Sequence, residues 1–156
     1  MVLLYPRSSP TDDEKDIAEN YIEIRRSNIP NAGFGVFATQ NIPCGRALGY
    51  YRGEIVTPEE HERRYAKKGY GEYSLLANDI DNPTEKVYID GKHHYNWVSR
   101  VNASKGTGKK PNIQWDAYGH VTALRNIKKG EELLLNYGRS YWQGKKNGTR
   151  KIKLKK

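Results

Sequence analysis

The sequence predicts one mostly β domain of the α+β class. Three observations carry that expectation. Short segments with strand character recur between Gly, Pro and Asn turns, and only one segment opens with a full set of helix start signals. At 156 residues the chain is long enough to bury one core without disulfides or a structural metal.

The elements follow in order. "TDDEKD" at 11–16 opens a short helix or remains part of an arm over residues 1–20. "YIEIRR" at 21–26 alternates apolar and polar residues as a half-buried strand does, and "FGVFAT" at 34–39 follows it across the turn "SNIPNAG". After the turn "NIPCG", the run "RALGYYRGEIV" at 46–56 reads as a third strand. In "TPEEHERRYAKK" at 57–68, Thr57 suits the N-cap, Pro58 the first helical position, and Glu59 and Glu60 the positive end of the helix dipole; a helix is expected. "GYGEYSLL" and "EKVYIDG" return to strand character on either side of "NDIDNPT". "HHYNWVSRVNA" reads as a short helix, and "IQWDAYGHVTALRNI" as a hairpin turning near Tyr118 and Gly119. "KKGEELLLNYG" gives a turn, a buried strand or helix, and a glycine stop.

Charge is unevenly distributed. The formal net charge is +9, and all but two units of it come from Lys145, Lys146, Arg150, Lys151, Lys153, Lys155 and Lys156, in a tail over 143–156 that contains no acid. Such a tail is either a solvated extension, or a nuclear address and electrostatic contact for nucleic acid or acidic protein. The single cysteine, Cys44, excludes an intrachain disulfide and a cysteine-cluster zinc site, and fits a reducing, intracellular compartment. The N-terminal apolar run is too short for a signal-peptide core and no apolar stretch spans a bilayer, so no membrane partner is expected.

Several chemistries lack an anchor. "NASKGTGKKPNI" at 102–113 looks like a phosphate-cradling loop, but Ala103 stands where the first glycine should be and Lys110 where the hydroxyl should be. Pro111 also forbids the helix that would follow. Among the four histidines, His61 is alone on the helix, His120 lies in the hairpin, and His93 and His94 are adjacent with no ligand partner at a metal-site spacing; surface histidines and no metal site are expected. Neither a G-x-S-x-G nor a Cys/His nucleophile signature is present. Twelve tyrosines against two phenylalanines stand out. They fit half-buried edge positions, or an aromatic channel for a cationic or long aliphatic guest such as a lysine side chain.

The order of four segments points further. "SNIPNAGFGVFATQNIPCG", "YYRGE", "NWVSRVNAS…KKPNI" and "GEELLLNYG" resemble, in sequence and spacing, the SET-domain family of protein lysine methyltransferases, over Tyr21 to Trp142. The resemblance implies a SET-domain fold of small curved β-sheets with few short helices, in which an N-H-S-x-x-P-N segment threads beneath the C-terminal E-L-x-x-D-Y segment as a pseudoknot. It implies S-adenosylmethionine as cofactor, and a histone or other lysine-rich protein as substrate, the two entering from opposite faces and meeting in a narrow channel. It also implies a nuclear, chromatin-associated setting.

Residue by residue, Ala32, Gly33, Phe34 and Gly35 match the cofactor loop, and Asn102 matches the cofactor-contacting asparagine. Tyr137 matches the tyrosine ending the last motif, and Tyr51 the Y-x-G tyrosine of the lysine channel; these two are the expected catalytic residues. Leu135 and Trp115 fall at channel positions that bear on how many methyl groups are added. Trp142, with Tyr141, either closes the adenine side of the cofactor or is a packing anchor. Departures accompany the match: Ala103 replaces the histidine of N-H-S, Ser104 to Lys110 lengthen the segment, and Asn136 replaces the aspartate before the terminal tyrosine. "NWVSRVN" resembles the PR subgroup of the family, some members of which turn over little, so a binding module tethered to chromatin or nucleic acid by its basic tail is the alternative expectation.

Overall fold

Gly53 explains why the expected third strand is two strands. A β-carbon there would lie 2.6 Å from both the carbonyl carbon and the carbonyl oxygen of Asp90, so only glycine lets the chain pass this close to a neighbouring strand. The run 46–56 therefore breaks at Tyr51 and Arg52 and supplies one strand to each of two sheets. The computed structural model in which this is seen describes residues 4–5, 20–67, 73–93 and 96–137.

The elements in chain order are β1 (Leu4–Tyr5), β2 (Ile22–Arg26), β3 (Phe34–Ala38), β4 (Ala47–Tyr50), β5 (Gly53–Val56), α1 (Pro58–Tyr65), β6 (Ser74–Asn78) and β7 (Lys86–Asp90). A single 3₁₀ turn (Trp97–Arg100) precedes β8 (Asn102–Ala103), β9 (Ile113–Trp115), β10 (His120–Ala123) and β11 (Leu134–Leu135). These form four small sheets: β1-β5-β7-β6, β4-β10-β9, the hairpin β2-β3, and the pair β8-β11. All pairings are antiparallel except β8 with β11, which is parallel. The mostly β expectation holds, with α1 and the 3₁₀ turn where helices were expected. The strand at Leu4–Tyr5 was not expected, and the reading of 11–16 lies outside the described residues.

Local chemistry accounts for α1. Thr57 is its N-cap and accepts from the Glu60 N–H at 3.1 Å, with Pro58 opening the helix and Arg63 and Arg64 in its last turn. None of the helices among the described residues is long and apolar enough to cross a membrane. His61 and Tyr65, one turn apart, face inward. This corrects the reading of the histidines as surface residues: the His61 ring stacks on Tyr88 with centroids 3.6 Å apart, because the sheet supplies a flat aromatic surface beneath the helix.

The core forms where the sheets meet. Val36, Leu48, Ile89, Val98, Val101, Ile113, Val121, Leu133 and Leu135 are all buried in one cluster. Between sheets, the Asn78 N–H donates to the Ala117 carbonyl at 2.8 Å and the Tyr51 N–H to the Gly119 carbonyl at 2.7 Å, so the β9-β10 turn is tied to both larger sheets.

The segment 102–112 is clasped at both ends to 132–135. Asn102 and Ala103 pair with Leu134 and Leu135; the Ser104 N–H reaches the Leu135 carbonyl at 2.9 Å, and the Asn112 N–H reaches the Leu134 carbonyl at 3.0 Å. This is the pseudoknot-like arrangement that the resemblance implies. Only Leu134 and Leu135 of "EELLLNYG" are strand, since the rest of that stretch bonds to partners other than a continuous ladder.

Candidate active site

The loop after β2 is closed by its own backbone, with the Ser27 N–H donating to the Gly33 carbonyl at 2.8 Å. Asn31, at φ 63°, and Gly33, at φ 72°, both adopt the left-handed conformation that this reversal needs. Its end is fixed by Asn102, which is buried and spends both amide protons on the protein: Nδ2 donates to the Phe34 carbonyl at 3.1 Å and to Glu132 Oε2 at 2.9 Å. Glu132 in turn accepts from the Ser27 hydroxyl, whose oxygen lies 2.8 and 3.0 Å from its two carboxylate oxygens. Gly35 lies directly against this group, where a β-carbon would come within 2.3 Å of Glu132 Oε2. The structure thus gathers Ala32 to Gly35 and Asn102 around a carboxylate to which the sequence reading gave no role. The second glutamate of "GEELLLNYG" was its only sequence signal.

Asn96 joins this region to the tyrosines. Its Oδ1 caps the 3₁₀ turn by accepting from the Val98 N–H at 3.3 Å, while its Nδ2 donates to the Tyr50 carbonyl at 2.8 Å. The turn delivers Val101, whose carbonyl accepts the Tyr137 hydroxyl at 2.5 Å. Tyr51 is 4 % exposed, donates its hydroxyl to the Tyr73 carbonyl, and packs edge to face on Trp115 with centroids 5.6 Å apart. Both expected catalytic tyrosines therefore direct their protons to main-chain carbonyls. An O–H so committed presents lone pairs to anything else that approaches it.

Leu135 is buried in the core beside Ala103, its partner in the parallel pair, so the alanine in place of a histidine contributes a main-chain rung of the pseudoknot. Trp115 and Tyr137 are half-buried at the margin of the same core. Trp142, Tyr141 and the basic tail lie outside the described residues. Beside the loop, Ile24, Phe34, Asn96, Trp97 and Arg100 line an open groove of about 410 Å³. Trp97 also packs beneath Gly49, whose β-carbon position lies 3.6 Å from its indole, which ties the groove wall to the strand that carries Tyr50.

Polar networks away from this region are strongly paired. Arg64 bonds Glu54 through two nitrogens at 2.9 Å each, and also reaches Glu60 and Asp90, which holds its guanidinium charged well beyond the usual range. Burial, and then the hydrogen bond to Asp90, push the Tyr65 hydroxyl above its ordinary pKa.

Comparison with known proteins agrees with this geometry. The histone-lysine N-methyltransferase set-17 of Caenorhabditis elegans is 29% identical over 122 residues, covering 76% of this chain and 41% of the relative. PR domain zinc finger protein 14 of Mus musculus is 28% identical over 110 residues, covering 69% of this chain and 18% of the relative. The chain thus spans less than half the length of these curated relatives. Among solved structures, the Neurospora histone lysine methyltransferase DIM-5 superposes with a TM-score of 0.59 at 25% identity, covering 80% of this chain and 56% of that one. A Chaetomium thermophilum Polycomb Repressive Complex 2 structure bound to S-adenosylmethionine does so at 0.59 and 26%, covering 81% of this chain and 16% of that one. The family model for the SET domain matches residues 33–138, from the Gly33 turn to the residue after Tyr137, and the chain belongs to the SET-domain family.

Proposed function

We propose that this chain is an S-adenosylmethionine-dependent protein-lysine N-methyltransferase acting on a histone or another lysine-rich protein. The observation that carries this reading is the matched use of Tyr51 and Tyr137, each of which gives its hydroxyl proton to a main-chain carbonyl. Such hydroxyls accept from an amine N–H and cannot donate to the amine lone pair, so the nitrogen keeps the electrons it needs for attack.

The residues beside the Gly33 turn fit the cofactor. The groove of about 410 Å³ has apolar and aromatic walls in Ile24, Phe34 and Trp97 and polar ones in Asn96 and Arg100, a composition and size suited to a nucleoside-bearing molecule. These residues, with Ala32, Gly33 and Gly35, would hold it, and Asn102 would keep the loop in place through Phe34. When bound, the cofactor supplies a methyl group on a positively charged sulfur.

The chain's own residues do the rest. A free lysine has a pKa of about 10.4 and is almost entirely protonated at neutral pH. Burial against Tyr51, Trp115 and Leu135 disfavours the ammonium form and excludes water. Tyr51 and Tyr137 then orient the neutral amine, and alignment supplies much of the rate. Nuclear, chromatin-associated work, and a nucleic-acid contact through the tail, accord with the names of the relatives and with the seven basic residues of 143–156.

The test is methyl transfer from labelled S-adenosylmethionine to mixed histones by the full chain. Transfer is expected, with kcat falling at least about tenfold in Tyr137→Phe while the melting temperature stays within a few degrees. No transfer to any lysine-rich protein would overturn the reading.

A further inference from the structure

We infer that Gly91 is a positioning residue that holds the Tyr51 hydroxyl as an acceptor, an inference that rests on the reading of Tyr51 as a lysine-channel tyrosine. Gly91 follows β7 and is buried. Its N–H donates to the Tyr73 carbonyl at 2.9 Å, and the same carbonyl accepts the Tyr51 hydroxyl. A β-carbon on Gly91 would lie 3.1 Å from the Tyr51 hydroxyl oxygen and 3.2 Å from the carbonyl oxygens of Arg52 and Tyr73. The empty space over Gly91 is therefore the space in which the hydroxyl meets its carbonyl.

The turn that carries Gly91 is anchored on its other side. Asp90 is 4 % exposed, and its carboxylate accepts from the Tyr65 hydroxyl at 2.6 Å, from Arg64 at 3.2 Å and from the Lys92 N–H at 3.1 Å. The backbone at 90–92 thus has little freedom to retreat, and Gly53 already presses on the Asp90 carbonyl. Of the three atoms that a new methyl group would crowd, two belong to the backbone and one is the far end of a tyrosine ring. The ring end is the softest of the three and yields first. A hydroxyl displaced from Tyr73 regains a mobile proton, and that proton can be donated to the lysine nitrogen and quench it. Gly91 thereby controls which way the Tyr51 proton points, with no contact of its own to substrate.

The test is a double-mutant cycle on the full chain with Gly91→Ala, Tyr51→Phe and both together, read by urea unfolding, by kcat and KM for mixed histones, and by calorimetric affinity for S-adenosylmethionine. G91A is expected to lower kcat about tenfold, with cofactor affinity changed less than about twofold, because alignment is lost and cofactor contacts are not. In the Tyr51→Phe background, G91A is expected to cost little further kcat and a smaller part of the unfolding midpoint, since the crowded oxygen has gone. Additive losses in both readouts would overturn the inference. If G91A alone does not fold, recovery of folding in the double variant supports it and failure of both overturns it. If the wild-type chain transfers no methyl group, the proposed function falls, and the unfolding cycle still decides whether Gly91 acts on Tyr51.

Discussion

Glu132 bridges residues that lie far apart in sequence: the Ser27 hydroxyl and the Asn102 amide both donate to its carboxylate. Replacing it with alanine removes the acceptor for one amide proton of a buried asparagine and opens a void against Gly35. The Phe34 carbonyl then rests on a less constrained Asn102. Glu132→Ala is expected to weaken S-adenosylmethionine binding about tenfold by calorimetry, equivalent to about 1.4 kcal/mol. Unchanged affinity would show that the carboxylate is dispensable to the loop. The sequence made Asn102 and the Gly33 turn legible through their motif. It left Glu132 without a role because nothing local connects a glutamate near the end of the last motif to a serine at the start of the first.

Helix α1 was readable almost to the residue, since its cap, its proline and its charged ends are local signals. What it covers was not. His61 lies against Tyr88 and near Tyr65, and burial lowers its pKa below the ordinary value, with a smaller opposing pull from Asp90 and a contribution from Arg64 in the same direction as burial. The sign of the consequence follows from linkage. The folded protein holds His61 neutral at pH values where the unfolded chain binds a proton, so stability is fully present above the unfolded value of about 6.5 and is lost as pH falls below it. The slope can reach at most about 1.4 kcal/mol per pH unit for one proton. Urea midpoints measured from pH 7.5 to 5 should fall, and His61→Phe, which can keep the stack on Tyr88, should flatten the profile. An unchanged profile in that variant would assign the loss to other groups. The strand reading failed at 46–56 for a similar reason: local pattern gives strand character to both halves, but the crossing between sheets is decided by the approach of Gly53 to Asp90.

Across the whole molecule, the clasp of 102–112 on 132–135 holds the candidate site together. Asn112 is 1 % exposed and makes three of the closing bonds: its N–H to the Leu134 carbonyl, its Nδ2 to the Glu132 carbonyl at 2.8 Å, and its Oδ1 from the Leu134 N–H at 2.7 Å. Asn112→Ala strands a buried N–H and a buried carbonyl, at a cost of about 2 to 4 kcal/mol, and should lower the melting temperature by several degrees. A change smaller than about 1 kcal/mol in urea unfolding would show that the clasp does not depend on this side chain. By itself the sequence determined the elements whose signals lie within a few residues: the β2-β3 hairpin, α1 with its cap, the β9-β10 turn, and the ordered motifs that mark the family. Only the tertiary structure decided that Asn102 and Ala103 lie parallel to Leu134 and Leu135, that Glu132 bridges Ser27 and Asn102, and that Gly91 stands under Tyr51. Periodicity and capping are energies between near neighbours, whereas these contacts join segments dozens of residues apart and exist only once the sheets have packed.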